Sequence, residues 1–235
     1  MWPYPWAAVH DQVPRLAESA MQDLFVAPSA LTRLDIPDAE VFYAQEVPLG
    51  QPPQALLQRL INEVPWRSES IVLWGRKHLQ PRLTAWYADA DARYSYSGIT
   101  LEPLPWSGTL VQIKGRIECF AGEYNSVLVN YYRDNRDSMG QHSDDEPELG
   151  DEPTIASVSL GHERTFVMRH KARKDLSPVR LSLKSGSLLL MRGPTQRFWT
   201  HGVPKQSVRC GPRINLTFRR ILTPATRCAP DDRAR

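Results

Sequence analysis

The chain has 235 residues, 41% of them hydrophobic, enough for one large domain with a core and too much for a disordered chain. Its net charge of +3 is uneven: residues 1–63 hold three arginines against eight acids, a net of −5, so the remainder carries +8, which suits a polyanionic partner without demanding one. No apolar run approaches bilayer length, and three widely spaced cysteines without a CxxC pair exclude a zinc ribbon and fit a reducing compartment.

In chain order, residues 1–37 are studded with prolines. "MWPYPWAAVHDQVP" lacks the basic n-region of a signal peptide, and the segment is expected to form a loosely ordered arm with one short helix, "RLAESAMQDLF". "AEVFYAQEV", 39–47, reads as a strand. "QPPQALLQRLINEV", 51–64, has early prolines and apolar residues at 56, 57, 60, 61 and 64, which is helical spacing. From about residue 110 the chain is mostly short alternating segments: "NSVLVNYY", "TIASVSL", "RTFVMRHK", "VRLSLKSGSLLLMRG" and "RINLTFRRI". A hairpin is expected at Lys184-Ser185-Gly186. Many short strands predict a sandwich, jelly roll or barrel.

Candidate chemistry begins with "GQHSDDEPEL", 140–149. It is either a solvated acidic loop or part of a metal site. On extended backbone His142 and Asp144 point to one side. A later histidine on a neighbouring strand would complete the two-His-one-carboxylate set of non-haem Fe(II). His201, after "QRFWT", is one of five other histidines available, with His10, His78, His162 and His170. In "RINLTFRRI", Arg213, Asn215, Thr217 and Arg219 share one face, and Ile214, Leu216 and Phe218 the other. That is either an edge strand with a wet face or a lining for an acceptor-rich ligand such as a dicarboxylate. Asn130 and Tyr132 share a face of "VLVNYYRD".

Taken in order, Asn130-x-Tyr132, His142-x-Asp144, His201 and Arg213-x-Asn215-x-Thr217-x-Arg219 resemble the AlkB family of Fe(II)/2-oxoglutarate dioxygenases over roughly residues 66–222. The similarity is closest to the duplex-DNA repair branch, through "PRLTAWYAD" (81–89), "YSYSG" (94–98) and "RINLTFRRI" (213–221). Ala88 departs from the glycine usual in that branch, and the arm matches nothing in it.

The resemblance implies a mainly β fold with flanking helices: a double-stranded β-helix (jelly-roll) core with an N-terminal nucleotide-recognition lid. The division it suggests is an arm over 1–37, an extension and lid over 38–109, a core over 110–222 and a tail over 223–235. It implies Fe(II) on His142, Asp144 and His201. Co-substrate 2-oxoglutarate would lie on Asn130, Tyr132, Arg213, Asn215, Thr217 and Arg219, with Arg213 at its distal carboxylate and Arg219 nearer the metal. The implied reaction is oxidative demethylation of 1-methyladenine or 3-methylcytosine in DNA, releasing succinate, CO2 and formaldehyde. The damaged base must flip out of the duplex. Tyr96 and His142 would stack on it, with Tyr94 at the mouth and Asp145 and Glu146 at its polar edge. Trp74, Gly75 and Arg76 would form a wedge and phosphate contact. Arg82 and other cations (Lys77, Arg136, Arg169, Lys171, Arg173 and Lys174) would meet phosphate. An intracellular monomer is expected, cytoplasmic in a bacterium or nuclear in a eukaryote. The alternatives are the same core acting on RNA or protein, and a binding module that has lost iron. The complete ligand set argues against the latter.

Overall fold

The period-two alternation of apolar and polar residues governs the architecture. The computed structural model describes residues 30–73, 76–92, 94–96 and 99–222. These form β1 (Thr32–Leu34), β2 (Glu40–Ala44), α1 (Pro53–Glu63), β3 (Ser70–Leu73), β4 (Arg76–Leu79), β5 (Leu83–Ala88), β6 (Tyr94–Tyr96), β7 (Ile99–Leu101) and α2 (Gly108–Ala121). There follow β8 (Ser126–Tyr132), β9 (Met139–His142), β10 (Ile155–Gly161), β11 (Arg164–His170), β12 (Val179–Leu183), β13 (Leu188–Arg192), a four-residue α3 (Thr195–Phe198), β14 (Trp199–Val203) and β15 (Arg213–Arg219).

Seven strands make a major sheet in the order β1-β2-β13-β10-β15-β8-β5, and four make a minor sheet, β12-β11-β14-β9. The ladders are antiparallel, and β3–β4 and β6–β7 are separate hairpins. This is the jelly-roll arrangement of two facing sheets. The expected helix over 51–64 forms as α1, with Pro53 in its first turn, where a missing N–H costs nothing.

Strand parity divides the interior in two. Val127, Val129, Ala156, Val158, Leu160, Leu188, Leu190, Ile214, Leu216 and Phe218 turn outward and pack under Leu56, Leu57 and Leu60 of α1 and Leu110, Ile113 and Ile117 of α2. The alternate positions turn inward, where Leu128, Tyr132, Leu189 and Met191 meet Phe166, Met168, Leu183, Trp199 and Val203 of the minor sheet. Burying side chains of this size stabilises by about 1.5–3 kcal/mol each. Gly161, at φ +90° with Pro212 O 2.4 Å from where a Cβ would sit, has no room for a side chain.

Two expectations are corrected. Lys184-Ser185-Gly186 does not close a hairpin: β12 joins the minor sheet and β13 the major one, so this turn carries the chain between sheets. The helix α2 also went unanticipated. Its signals were Ser107, whose hydroxyl caps the N–H of Leu110, and apolar residues at 110, 113 and 117. The end of the expected arm contributes β1 to the sheet, whereas the helix expected at 15–25 lies outside the described residues. No helix among the described residues is long and apolar enough to cross a membrane.

Candidate metal centre

The inward face of β15 is the floor of a polar cavity between the sheets. Its register sets Arg213 opposite Tyr132 and Asn215 opposite Asn130 on β8, and Thr217 opposite Ser157 on β10. So β15 is a central strand, not an edge, and its polar face is buried: Arg213, Asn215, Thr217 and Arg219 are each at most 8% exposed. All four line the cavity with Asn130, Tyr132, His142, Asp144 and His201.

Facing β15, the minor sheet supplies the histidines. His201 lies within β14 and pairs directly with His142 at the end of β9. Their rings stand edge to face at 4.4 Å, and Phe166 stacks on His201 at 5.2 Å. Asp144 follows one residue beyond Ser143, so its carboxylate meets both rings: each imidazole Nε2 lies 3.9 Å from one of its oxygens. One donor atom from each of the three falls within 4.8 Å of the others, a spacing that can hold a metal ion.

Several side chains fix this geometry. Arg219 donates to Asp144 Oδ1 at 2.7 Å, the Asp144 backbone N–H donates to Gln196 Oε1 at 3.0 Å, and His142 Nδ1 lies 3.0 Å from the carbonyl of Gly140. The other carboxylate oxygen, Asp144 Oδ2, is buried without a hydrogen-bond partner. A buried anionic oxygen left so, facing two imidazoles, fits a cation.

Charge states favour ligation. Burial pushes His201 down to about 3, aided by the nearby His142 against the pull of Asp144, and burial also lowers His142. Burial by itself would raise Asp144, but Arg219 and the two histidines outweigh it and hold the carboxyl at about 2. Because the His201 pKa is depressed, the stability of its neutral form is complete above about pH 6.5 and is lost as pH falls toward 3. The three donors are therefore already deprotonated near neutrality. Co(II) affinity of the metal-free protein should therefore fall less between about pH 7.5 and 5.5 than it would with two ordinary histidines. Two ordinary histidines would lose roughly 100-fold by calorimetric titration over that span, and such a loss would contradict the lowered titration of these imidazoles.

The other end of the cavity is cationic. Arg213 Nη2 donates to Ser159 Oγ at 2.9 Å, while Nε and Nη1 meet no hydrogen-bonded acceptor, and the guanidinium lies over the Tyr132 ring at 5.1 Å. Arg164, fully buried, covers the same ring at 5.5 Å and donates to the carbonyls of Asp134, Asp137 and Pro204. Asn215 is occupied internally: its amide donates to Ser157 Oγ and Val158 O and its oxygen accepts from Thr217. It shapes the wall without a free donor. Gln196, Phe166 and Arg164 were not singled out by sequence, since each acts through contacts between distant strands.

Among the expected substrate contacts, Trp74 and Gly75 lie outside the described residues. Arg76 falls on β4, and Tyr94 and Tyr96 on β6. Asp145 is exposed and paired with Lys171 at 3.0 Å, and Glu146 is half-buried at the start of a 3-10 turn. Arg82 is corrected: it is 3% exposed and donates from Nε to Asn130 Oδ1 at 2.7 Å, so it faces the cavity wall, not surface phosphate. Lys171, Arg136 and Arg173 are likewise engaged, with Asp145, Asp134 and Asp175.

Residues 50–219 match the model of the 2OG-Fe(II) oxygenase superfamily. Alpha-ketoglutarate-dependent dioxygenase alkB homolog 3 of Homo sapiens is 44% identical over 184 residues, 74% of this chain and 63% of that protein. DNA oxidative demethylase ALKBH2 of Homo sapiens is 42% identical over 177 residues, 71% of this chain and 68% of that one. The chain thus spans less than two thirds of the alkB homolog 3 relatives. The solved structure of OsALKBH1 superposes with a TM-score of 0.53 at 17% identity, covering 81% of this chain and 99% of that one, which shows a shared fold.

Proposed function

The chain belongs to the 2OG-Fe(II) oxygenase superfamily, and from that premise we propose that it removes alkyl groups oxidatively from damaged bases in DNA. The observation that carries the reading is the convergence of His142, Asp144 and His201 beside a buried arginine with unpartnered donors, in a chain 42–44% identical to proteins named as alkB-type dioxygenases and DNA oxidative demethylases. His142, Asp144 and His201 would hold Fe(II). Arg213 would clamp the distal carboxylate of 2-oxoglutarate, with Asn130 and Tyr132 along its length, and Arg219 holds Asp144 in place. When bound, Fe(II) and 2-oxoglutarate supply the oxidation, with O2 consumed and succinate, CO2 and finally formaldehyde released.

The residues of the chain bind, orient and shield. The neutral imidazoles present lone pairs, Asp144 stays ionised, and Phe166 and Met191 wall the site against water. A damaged base inside a duplex must flip to reach this interior. A cationic lesion such as 1-methyladenine or 3-methylcytosine would meet Asp145 and Glu146 at its polar edge, with Tyr94, Tyr96 and His142 stacking around it. Trp74, with Gly75 and Arg76, would fill the gap left in the stack. The enzyme would work as an intracellular monomer wherever the DNA is.

The test is formaldehyde and succinate release from methylated single- and double-stranded DNA, with RNA and a methylated peptide beside them. Methylated DNA should be turned over, and Trp74→Ala should lower duplex repair by at least about tenfold while sparing single strands. Release from RNA or peptide alone would overturn the DNA assignment.

A further inference from the structure

Arg82 is a buried cation with no carboxylate among its described contacts. Strand parity places it on the inward face of β5 with Trp86 and Ala88, which pack between the sheets. The β5–β8 register sets Thr84 opposite Asn130, so Arg82 reaches Asn130 diagonally from two residues earlier. There its Nε donates to Asn130 Oδ1 at 2.7 Å, with both side chains at most 4% exposed.

That bond decides which end of the carboxamide enters the cavity. An asparagine has one accepting and one donating end, and turning it over exchanges them. With Oδ1 committed to a guanidinium, the NH2 group is what Asn130 has left for the cavity. The reversed amide would set donor against donor at Arg82 and point its oxygen at any anionic ligand. Carboxylate and keto oxygens only accept, so the orientation seen is the one they require.

We infer that Arg82 is a positioning residue for the co-substrate: it acts through Asn130, fixing the amide so that its NH2 group donates to 2-oxoglutarate. The inference rests on the cavity assignment proposed above. It moves Arg82 from the nucleic-acid surface to the support of the co-substrate pocket, the kind of outer contact that typically changes affinity 10–100-fold. The segment also ties three parts of the fold together. Pro81 O accepts from Ser138 N at the entrance to β9, and Gln80 N donates to Glu69 O at the base of the β3–β4 hairpin. Displacing that hairpin would therefore strain the junction that holds Asn130.

The test is calorimetric binding of 2-oxoglutarate to the full Co(II)-loaded chain, which needs no nucleic acid and no turnover. Arg82→Met should weaken 2-oxoglutarate binding about tenfold and leave Co(II) affinity within about twofold. Arg82→Lys keeps the charge but not the fixed fork, so it should fall between Met and the parent. In an Asn130→Ala background the Arg82→Met change should add less than about twofold, because the route through the amide is gone. Parent-like binding in Arg82→Lys and Arg82→Met, or effects of Arg82→Met and Asn130→Ala that simply multiply, would overturn the inference. Should Arg82→Met fail to fold, Arg82→Lys decides alone. Arg213→Met separates the two levels. If it abolishes binding while the Arg82 variants bind normally, only the Arg82 role falls. If it binds normally, the cavity assignment falls and takes the Arg82 role with it.

Discussion

Arg213→Met should lower 2-oxoglutarate affinity by about two to four orders of magnitude and abolish turnover at ordinary co-substrate concentrations. The guanidinium sits in a buried wall with two nitrogens lacking acceptors, one bond to Ser159, and no acid within ion-pair distance among the described residues. A ligand carboxylate would supply the counter-charge. A hydrogen bond to a charged group is worth about 1.5–3 kcal/mol, and a bidentate carboxylate makes two. About 1.4 kcal/mol is a factor of ten, so losing both gives the stated range. Methionine fills similar volume without charge and relieves burial, which lowers the Arg213 pKa from its ordinary value, so the variant should melt no earlier than the parent. Co(II) binding should survive, because Arg213 lies at the far end of the cavity from Asp144. Unchanged 2-oxoglutarate binding would show that the ligand's carboxylate is held elsewhere.

The second large effect is expected from Asp144→Asn. The side chain is 1% exposed, lies 3.9 Å from each imidazole and accepts from Arg219 at 2.7 Å. Replacing one oxygen by NH2 removes the negative charge from among two rings and a guanidinium. Outer contacts to a metal ligand cost 10–100-fold, so loss of the ligand charge itself should cost at least about 100-fold in Co(II) affinity. Succinate release should fall to background. The metal-free variant should also melt several degrees earlier, since removing one member of a buried ion pair costs about 3–5 kcal/mol. Its pH response should flatten as well. The parent carboxyl, held at about 2, gives stability present above about pH 4 and lost as pH falls through 2, and an amide does not titrate there. Parent-like cobalt spectra in Asp144→Asn would exclude it as a ligand.

How much of this was legible in the sequence depends on the range of the interaction. The alternation in "RINLTFRRI" divides correctly into a helix-facing and a cavity-facing set, because strand geometry is local. His142 and Asp144 were legible as a same-side pair for the same reason. The choice of His201 over the other histidines came from resemblance. Its register with His142 is a non-local fact of β9–β14 pairing. The turn at 184–186 misled because glycine at φ +84° serves a hairpin and a sheet-to-sheet crossing alike, and only the distant partners of β12 and β13 decide. Arg82 and Arg164 misled or hid because arginine is usually a surface residue, and nothing local announces a guanidinium whose work is to hold an amide or three carbonyls. In α2, Gly108, Gly115 and the β-branched residues weaken the helical reading that Leu110, Ile113 and Ile117 support.

The position of β9 has a consequence for how the protein comes apart. It is a four-residue strand at the edge of the minor sheet, joined to β14 through an irregular register. Short edge strands with broken ladders are the first places where backbone amides exchange with solvent. An ion gripping His142 and His201 at once would act as a staple across that ladder, closing the long loop between them much as a disulfide does. Fraying of β9 and loss of the ion are then one cooperative event. An exposed strand edge, with its row of unpaired amides and carbonyls, is also where chains begin to associate. On this view loss of the ion would expose the chain to association as well as emptying the site, and the residues that would grip the ion would also hold an irregular edge of the fold closed.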